Sequence, residues 1–420
     1  MSSTPTKAAL GYFRHDCRMC RGKNLEMYLD LGMQPHSDGF IQEKDLGNRE
    51  HYFPLTVLNC TDCGQQQLTY VVSPEFLYGE DYIYESSITE TFKKHFFGMA
   101  ESIVKKFNIP AGSLAVDIGS NVGLLLSGFQ AQDLIVQGVD PAPNIVKIAR
   151  ENGVDTHEAF FSPDIARKIV EEKGHASVMT GTNVFAHIDD LDTLMEGADV
   201  LLAEDGVFII EAPYQVDLIQ KMLYDMVYHQ HLSYLSIKPL VAFFNRLGFE
   251  LFDVEHTPSH GGSVRVFAGR KGKHEVQPIV AELLEVEKKE GIHDMDRLRR
   301  FSEDVLKHRQ ALVELLVTLK DEGKTIVGIG APAKGNTLLN YCGITSGILE
   351  FITEKSTLKK GRYTPGTRML VEADEKLLET QPDYGLILPW NFAPEIIKNL
   401  SEYQSRGGKF IVPMPSPKIV

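Results

Sequence analysis

Apolar and polar positions change rhythm several times along the chain, and the changes divide it. Short apolar runs at Leu114–Ile118, Ile135–Val139, Ser177–Thr182 and Val207–Glu211 read as strands, separated by stretches with helical periodicity. Strands alternating with helices predict βαβ units and a mainly parallel sheet. Another strand is expected at Val264–Ala268. Residues 272–322 repeat apolar positions at spacings of three and four. They predict amphipathic helix joining two lobes, with Glu287-Lys288-Lys289-Glu290 on a solvated face. A second α/β unit begins at Thr325, with a helix from about Ala333 and strands at Ile348–Thr353, Tyr384–Leu388 and Lys409–Val412. Residues 68–96 start strand-like and end helical. The expected division is 11–72, 73–270, 271–323 and 324–415.

The stretch LAVDIGSNVGLLL, Leu114 to Leu126, runs from a strand through Gly119, Asn121 and Gly123 into a helix. Such a turn brings backbone N–H groups close to a ligand. The next strand ends in Asp140-Pro141, where an acid roughly 20 residues after the first glycine usually holds a ribose hydroxyl. The turn has neither G-x-G-x-x-G nor the Lys-Ser/Thr of a P-loop, so it suits a cofactor with a ribose and no pyrophosphate, such as S-adenosylmethionine. The plainer alternative is an ordinary strand-to-helix turn. Ligands belong at the carboxyl ends of such strands, which here carry Asp117, Asp140, Asn183 with His187, and Glu211 with Pro213.

Cys17 and Cys20 form one C-x-x-C, and Cys60 and Cys63 another. Two knuckles at this separation place four thiolates around a structural Zn²⁺ with no open coordination position. A redox pair is the alternative. His15 and His36 read as surface residues, not ligands. The chain has 420 residues, enough for two or three domains, and a formal charge of -14. An acidic chain without a basic block is a poor partner for nucleic acid or an anionic membrane. No apolar run is long enough to span a bilayer, and the N-terminal stretch has no apolar export core, so a cytoplasmic location is expected.

Further chemistry concentrates in four places. Tyr78, Tyr82 and Tyr84 lie close to Ser86 and Ser87, phenols and hydroxyls suited to a ligand's oxygens or to lining a domain interface. Asp225 to Ser236 holds Tyr228, His229, Gln230, His231 and Tyr234. No carboxylate or cysteine cluster accompanies the two histidines, so proton chemistry is the better reading than metal. The turn His260-Gly261-Gly262-Ser263 offers backbone N–H groups. Lys334, at a helix start, and the island Lys355, Lys359, Lys360, Arg362, Tyr363 and Arg368 suit a nucleotide diphosphate; a solvated surface is the alternative.

Taken in order, the paired C-x-x-C knuckles, YIYESSIT, VDIGSNVG, NVFAHI, YHQHLSYLS, HGGSVR, GIGAPAKGNTLLNY and GRYTPGT resemble the sugar C-methyltransferases that act on nucleotide-linked 4-keto-deoxyhexoses. The resemblance spans Cys17 to about Pro413. It implies an α/β fold: a class I S-adenosylmethionine-methyltransferase Rossmann-like domain between a small N-terminal zinc-binding lobe and a C-terminal Rossmann-like lobe. By the same resemblance, Asp117, Gly119 to Gly123, Asp140, Pro141 and Asn183 hold the cofactor, His231 is the base, and Tyr228, Tyr82, His187 and Gln230 join it in the catalytic group. Tyr84, Ser86, His260, Gly261, Gly262, Lys334, Asn336, Arg362, Tyr363 and Arg368 are expected on a dTDP- or GDP-linked sugar, in a monomer or homodimer. The chain departs from the family at Gln230, where Glu is common, and at Val122, where an acid is common. A glutamine cannot exchange a proton. A nicotinamide-dependent sugar oxidoreductase and an inactive nucleotide-sugar-binding paralogue are the two rival readings.

Overall fold

The structure is a computed structural model that describes residues 10–78 and 90–420, without the side chains of residues 90–92 and 260. Tyr82, Tyr84, Ser86 and Ser87 lie outside the described residues, as does the side chain of His260.

The N-terminal lobe is built from β1 (Gly11–Phe13), β2 (Leu25–Pro35), β3 (Tyr52–Cys60), β4 (Gln66–Leu68) and β5 (Tyr70–Val72). Strand β3 alternates buried and less buried positions, so Phe53, Leu55 and Val57 point inward at the period of two that an antiparallel sheet with one covered face requires.

The central region contributes β6 (Leu114–Ile118), β7 (Ile135–Asp140), β8 (Thr156–Glu158), β9 (Ala176–Thr182), β10 (Leu202–Pro213), β11 (Ser233–Tyr234), β12 (Phe249–Thr257) and β13 (Ser263–Arg270). Seven of these form one sheet in the order β12-β13-β10-β9-β6-β7-β8. All five residues of β6 are buried, as expected of a parallel strand with helices on both faces. The parallel prediction holds from β8 to β10; β13 pairs antiparallel with both β10 and β12. Strand β11 leaves this sheet and pairs with β4, giving the N-terminal lobe the order β11-β4-β3-β2.

The C-terminal lobe has β14 (Ile326–Ile329), β15 (Ile352–Glu354), β16 (Val371–Ala373), β17 (Tyr384–Ile387), β18 (Lys409–Val412) and β19 (Lys418–Ile419), in the order β16-β15-β14-β17-β18-β19. The strand expected from Ile348 begins only at Ile352, because Ile348 and Leu349 close a turn on Thr345 and pack as apolar plugs beneath it.

Two helices, Pro278–Glu290 and Met295–Asp321, connect the lobes. The longer one buries Leu298, Phe301, Val305, His308, Leu312, Leu316 and Leu319, an unbroken seam of three- and four-residue steps. Glu287 corrects the expectation of a solvated charged face. It is 1% exposed and accepts hydrogen bonds from Tyr214 Oη and from the backbone N–H groups of Ile237 and Lys238, the start of helix Ile237–Arg246. A carboxylate there satisfies orphan donors and complements the helix dipole. One buried apolar cluster runs from Cys17 to Met414, so the sheets share a core. Among the described residues no helix is long and apolar enough to cross a membrane.

Candidate active site

A cavity of about 660 Å³ lies where the three lobes meet. At one end the chain leaves β6 through Gly119, whose φ of +62° lies in the left-handed region and whose missing Cβ leaves room for Val184. Asn121 and Asn183, both with positive φ, line the same wall, and asparagine is among the side chains that tolerate that backbone. Asp140, at the end of β7, accepts from the N–H groups of Asn121 and Ala142, each at 3.0 Å. Burial raises its carboxyl above the usual range. Asp117 accepts from Thr180 Oγ1 at 2.6 Å and is pushed by burial up to about 7. The hydroxyl of Ser120 is buried without a hydrogen-bond partner among the described residues. A turn closed to any Cβ, an acid at the neighbouring strand end and an unsatisfied hydroxyl fit the ribose-bearing cofactor expected here.

Midway along the cavity stand two imidazoles with ring centroids 5.1 Å apart. His231 Nδ1 donates to the carbonyl of Met226 at 2.7 Å, which puts the basic lone pair on Nε2. The Tyr228 ring lies against it, centroids 3.9 Å apart and planes tilted by 34°. His187 lies 3.3 Å through Nδ1 from Tyr78 Oη, and burial depresses it to about 4, so it is neutral at physiological pH. Gln230 uses both ends of its amide. Nε2 donates to Asp38 Oδ2 and lies 3.0 Å from His36 Nε2, while Oε1 accepts from Ser37 Oγ at 3.2 Å. His36 is therefore no surface residue; it is packed against the Tyr228–His231 segment.

The far end belongs to the C-terminal lobe. Lys334 lies 3.9 Å over the Trp390 ring and bonds Asn391 Oδ1; burial lowers it to about 8. Trp390 Nε1 donates to buried Asp225, three residues before Tyr228. Lys359 donates to the Ala331 carbonyl at 2.9 Å, and Glu354, at the end of β15, accepts from the Ala331 N–H at 2.8 Å.

Of the residues singled out from the sequence, Asp117, Gly119, Asn121, Asp140, Pro141, Asn183, His187, Tyr228, Gln230, His231 and Lys334 line this one cavity. Others do not reach its wall. Gly123 sits behind the turn as the N-cap of helix Leu124–Gln130. Asn336 donates to the Ser37 carbonyl and so ties two lobes together. Gly261 packs under Trp390 and Gly262 against Asp217. The basic island splits. Lys355 and Lys359 face the cavity, Arg362 borders a separate open groove with Lys360, Tyr363 bridges to Ile41, and Arg368 pairs with Glu50 at 2.9 Å. Arg368 is thus spent on a clamp between lobes, because Glu50 lies within reach of its guanidinium. Tyr78, one of the phenols singled out from the sequence, is also on the wall. Asp38 and Glu354 stand there without having been expected; only the Asp38-Gly39 turn pair leaves a trace in the sequence, and it marks a turn, not a ligand.

Away from the cavity, the sulfurs of Cys17, Cys20, Cys60 and Cys63 all lie within 4.8 Å of one another, with the Cys17–Cys63 and Cys20–Cys60 pairs at 3.6 Å. Tetrahedral zinc with Zn–S near 2.3 Å sets its sulfurs about 3.8 Å apart, so the donors fit a closed, structural Zn²⁺ site.

A sheet in this order, with a glycine turn and an acid at its crevice, defines a class I S-adenosylmethionine-dependent methyltransferase. Residues 17–78 match the model of a zinc binding domain, 94–254 that of the methyltransferase domain and 258–415 that of the C-methyltransferase C-terminal domain. The C-methyltransferase NovU of Streptomyces niveus is 35% identical over 406 residues, 96% of each chain. The protein belongs to this family of zinc-bearing, S-adenosylmethionine-dependent C-methyltransferases. Among solved structures, magnesium protoporphyrin IX methyltransferase from Synechocystis PCC 6803 is 14% identical, with a TM-score of 0.32 over 43% of this chain and 79% of that one. The PH0226 protein from Pyrococcus horikoshii OT3 is 15% identical, with a TM-score of 0.36 over 44% and 94%.

Proposed function

We propose that the chain methylates a ring carbon, C3, of a nucleotide-linked 4-keto-deoxyhexose. The observation that carries this reading is the tautomer of His231: its Nδ1 proton is committed to Met226, so Nε2 is the basic atom on the wall between the glycine turn and Lys334. A keto group acidifies the hydrogen on the neighbouring carbon, and His231 Nε2 takes that proton. Tyr228, packed against the imidazole, donates to the enolate oxygen as charge develops there. S-adenosylmethionine, when bound, supplies the methyl group as an electrophile. Asp140 would hold its ribose, and Asn183 and neutral His187 would line the sulfonium's side of the cavity without adding a positive charge. Lys334 and Lys359 receive the diphosphate. Neutral His187 is second choice as base. The enzyme works in the cytoplasm as a monomer or homodimer.

The test is mass spectrometry of dTDP- and GDP-linked 4-keto-deoxyhexoses incubated with enzyme and S-adenosylmethionine. The expected result is a gain of one CH₂ on the sugar. Transfer only to a substrate without a keto group would overturn the mechanism, and transfer to an oxygen would overturn the assignment of carbon.

A further inference from the structure

The loop that follows β2, His36 to Gly39, carries none of the methyl-transfer chemistry, yet it places Asp38 on the cavity wall. The two oxygens of Asp38 are treated differently. Oδ2 accepts from Gln230 Nε2 at 3.0 Å. Oδ1 is buried and has no hydrogen-bond partner among the described residues. A buried carboxylate oxygen without a donor is costly, and such atoms in native proteins usually answer to a missing ligand or water. Lys359, whose field reaches Asp38, does not supply that donor: its hydrogen bond goes to the Ala331 carbonyl, and Asp38 Oδ1 receives none from it.

The neighbour of Asp38 sharpens the point. Gln230 is an amide within the histidine-bearing segment and cannot hold a charge. Its Nε2 faces Asp38 and its Oε1 faces Ser37 Oγ; burial raises the Asp38 carboxyl, and the nearby Lys359 charge and the Gln230 amide oppose that rise. The pair therefore contains one carboxylate and one amide, with the carboxylate on the zinc-binding lobe and the amide one residue from His231.

We infer that Asp38 is a specificity residue of this enzyme: its Oδ1 accepts a hydrogen bond from a sugar hydroxyl and, with Gln230 bracing it, sets which ring face meets His231. This rests on the proposed function for the ligand being a hydroxylated ring. It requires a substrate with an unmodified hydroxyl at that end of the cavity.

Three variants test it, Asp38→Asn, Gln230→Glu and the exchange Asp38→Asn/Gln230→Glu, assayed with thymidine diphosphate-4-keto-6-deoxyglucose and S-adenosylmethionine, with the melting temperature and S-adenosylmethionine affinity of each as controls for folding. Asp38→Asn is expected to raise KM for the sugar by roughly 10- to 100-fold, the worth of one charge-assisted hydrogen bond, with a smaller change in kcat. Gln230→Glu sets two carboxylates side by side and is also expected to lose activity. The exchange restores one of each and is expected to recover at least about tenfold over the poorer single variant, the worth of one such bond. A wild-type KM in Asp38→Asn, or a folded exchange variant no better than the poorer single, overturns the inference while leaving the proposed function standing. No turnover by the unaltered chain overturns both.

Discussion

The central crevice and the C-terminal crevice are built on one device. In each, a parallel strand turns through a glycine with positive φ, Gly119 or Gly330, and a helix follows. In each, the acid ending the neighbouring strand accepts an N–H from that turn: Asp140 from Asn121, Glu354 from Ala331. The difference is charge. Every lysine on the cavity wall, Lys334, Lys355 and Lys359, comes from the C-terminal lobe, beside the acids Glu354, Asp374 and Glu395, and the central lobe's share of the wall carries Asp117, Asp140, Asp189 and Asp190 with no lysine. Backbone geometry sets where a ligand sits; the side chains around the turn decide its sign. A crevice with acids and no lysine suits a sulfonium and a ribose, one that offers lysines a diphosphate, and the imidazoles stand between them.

The strongest way to break this comparison is to remove the group between the crevices. His231→Asn is expected to cut turnover by roughly 10²- to 10⁴-fold, with S-adenosylmethionine affinity, measured by calorimetry, unchanged. Lost affinity would make His231 part of the donor crevice. Next come two substitutions with opposite signatures. Lys334→Met is expected to weaken nucleotide-sugar binding by roughly 10- to 100-fold and spare the cofactor, and Asp140→Asn to do the reverse. If both variants weaken both ligands, the crevices are not separate.

Acidity gives a subtler test of the lysine-bearing crevice. Burial holds Lys334 at about 8, below the ordinary lysine value, so its ammonium is lost as pH rises through 8. Nucleotide-sugar affinity should then fall by up to about tenfold per pH unit, the limit for one coupled proton, and the dependence should vanish in Lys334→Met. The sign differs for folding. The folded chain sheds this proton before the unfolded one, so between pH 8 and the unfolded value near ~10.4 this group adds stability as pH rises. Alkaline loss of affinity without a falling melting temperature is the expected combination. The smallest effect separates scaffold from chemistry: Glu287→Gln should cost about 1–3 kcal/mol of stability, read by denaturant titration, and leave both affinities intact.

Much of this arrangement was legible locally. The strands around the glycine turn are continuous apolar runs ending in acids, and the cysteine knuckles state their chemistry in their spacing. What escaped was set by contacts between distant residues. The Gln230–Asp38 bond spans 192 positions and Arg368–Glu50 spans 318, and neither leaves a local signal. The reversal of β13 depends on which sheet edge is open when the chain returns. Glu287 is different, because its helix buries Val280 and Glu287, seven residues apart and so on one face; periodicity carried to the end of the charged block would have placed it inside.

The two-residue strand β11 limits how such enzymes can be recombined. It lies just after His231 in the chain, yet its neighbours are Gln66 and Gln67 of β4, and the Leu232 carbonyl accepts from Leu68 N–H. A chimera that takes its thiolate-bearing module from another parent and keeps its own residues 224–236 would join a foreign β4 to a native β11, at the point that aims the imidazole. The metal-binding module and the segment that carries His231 must therefore be transplanted as one piece.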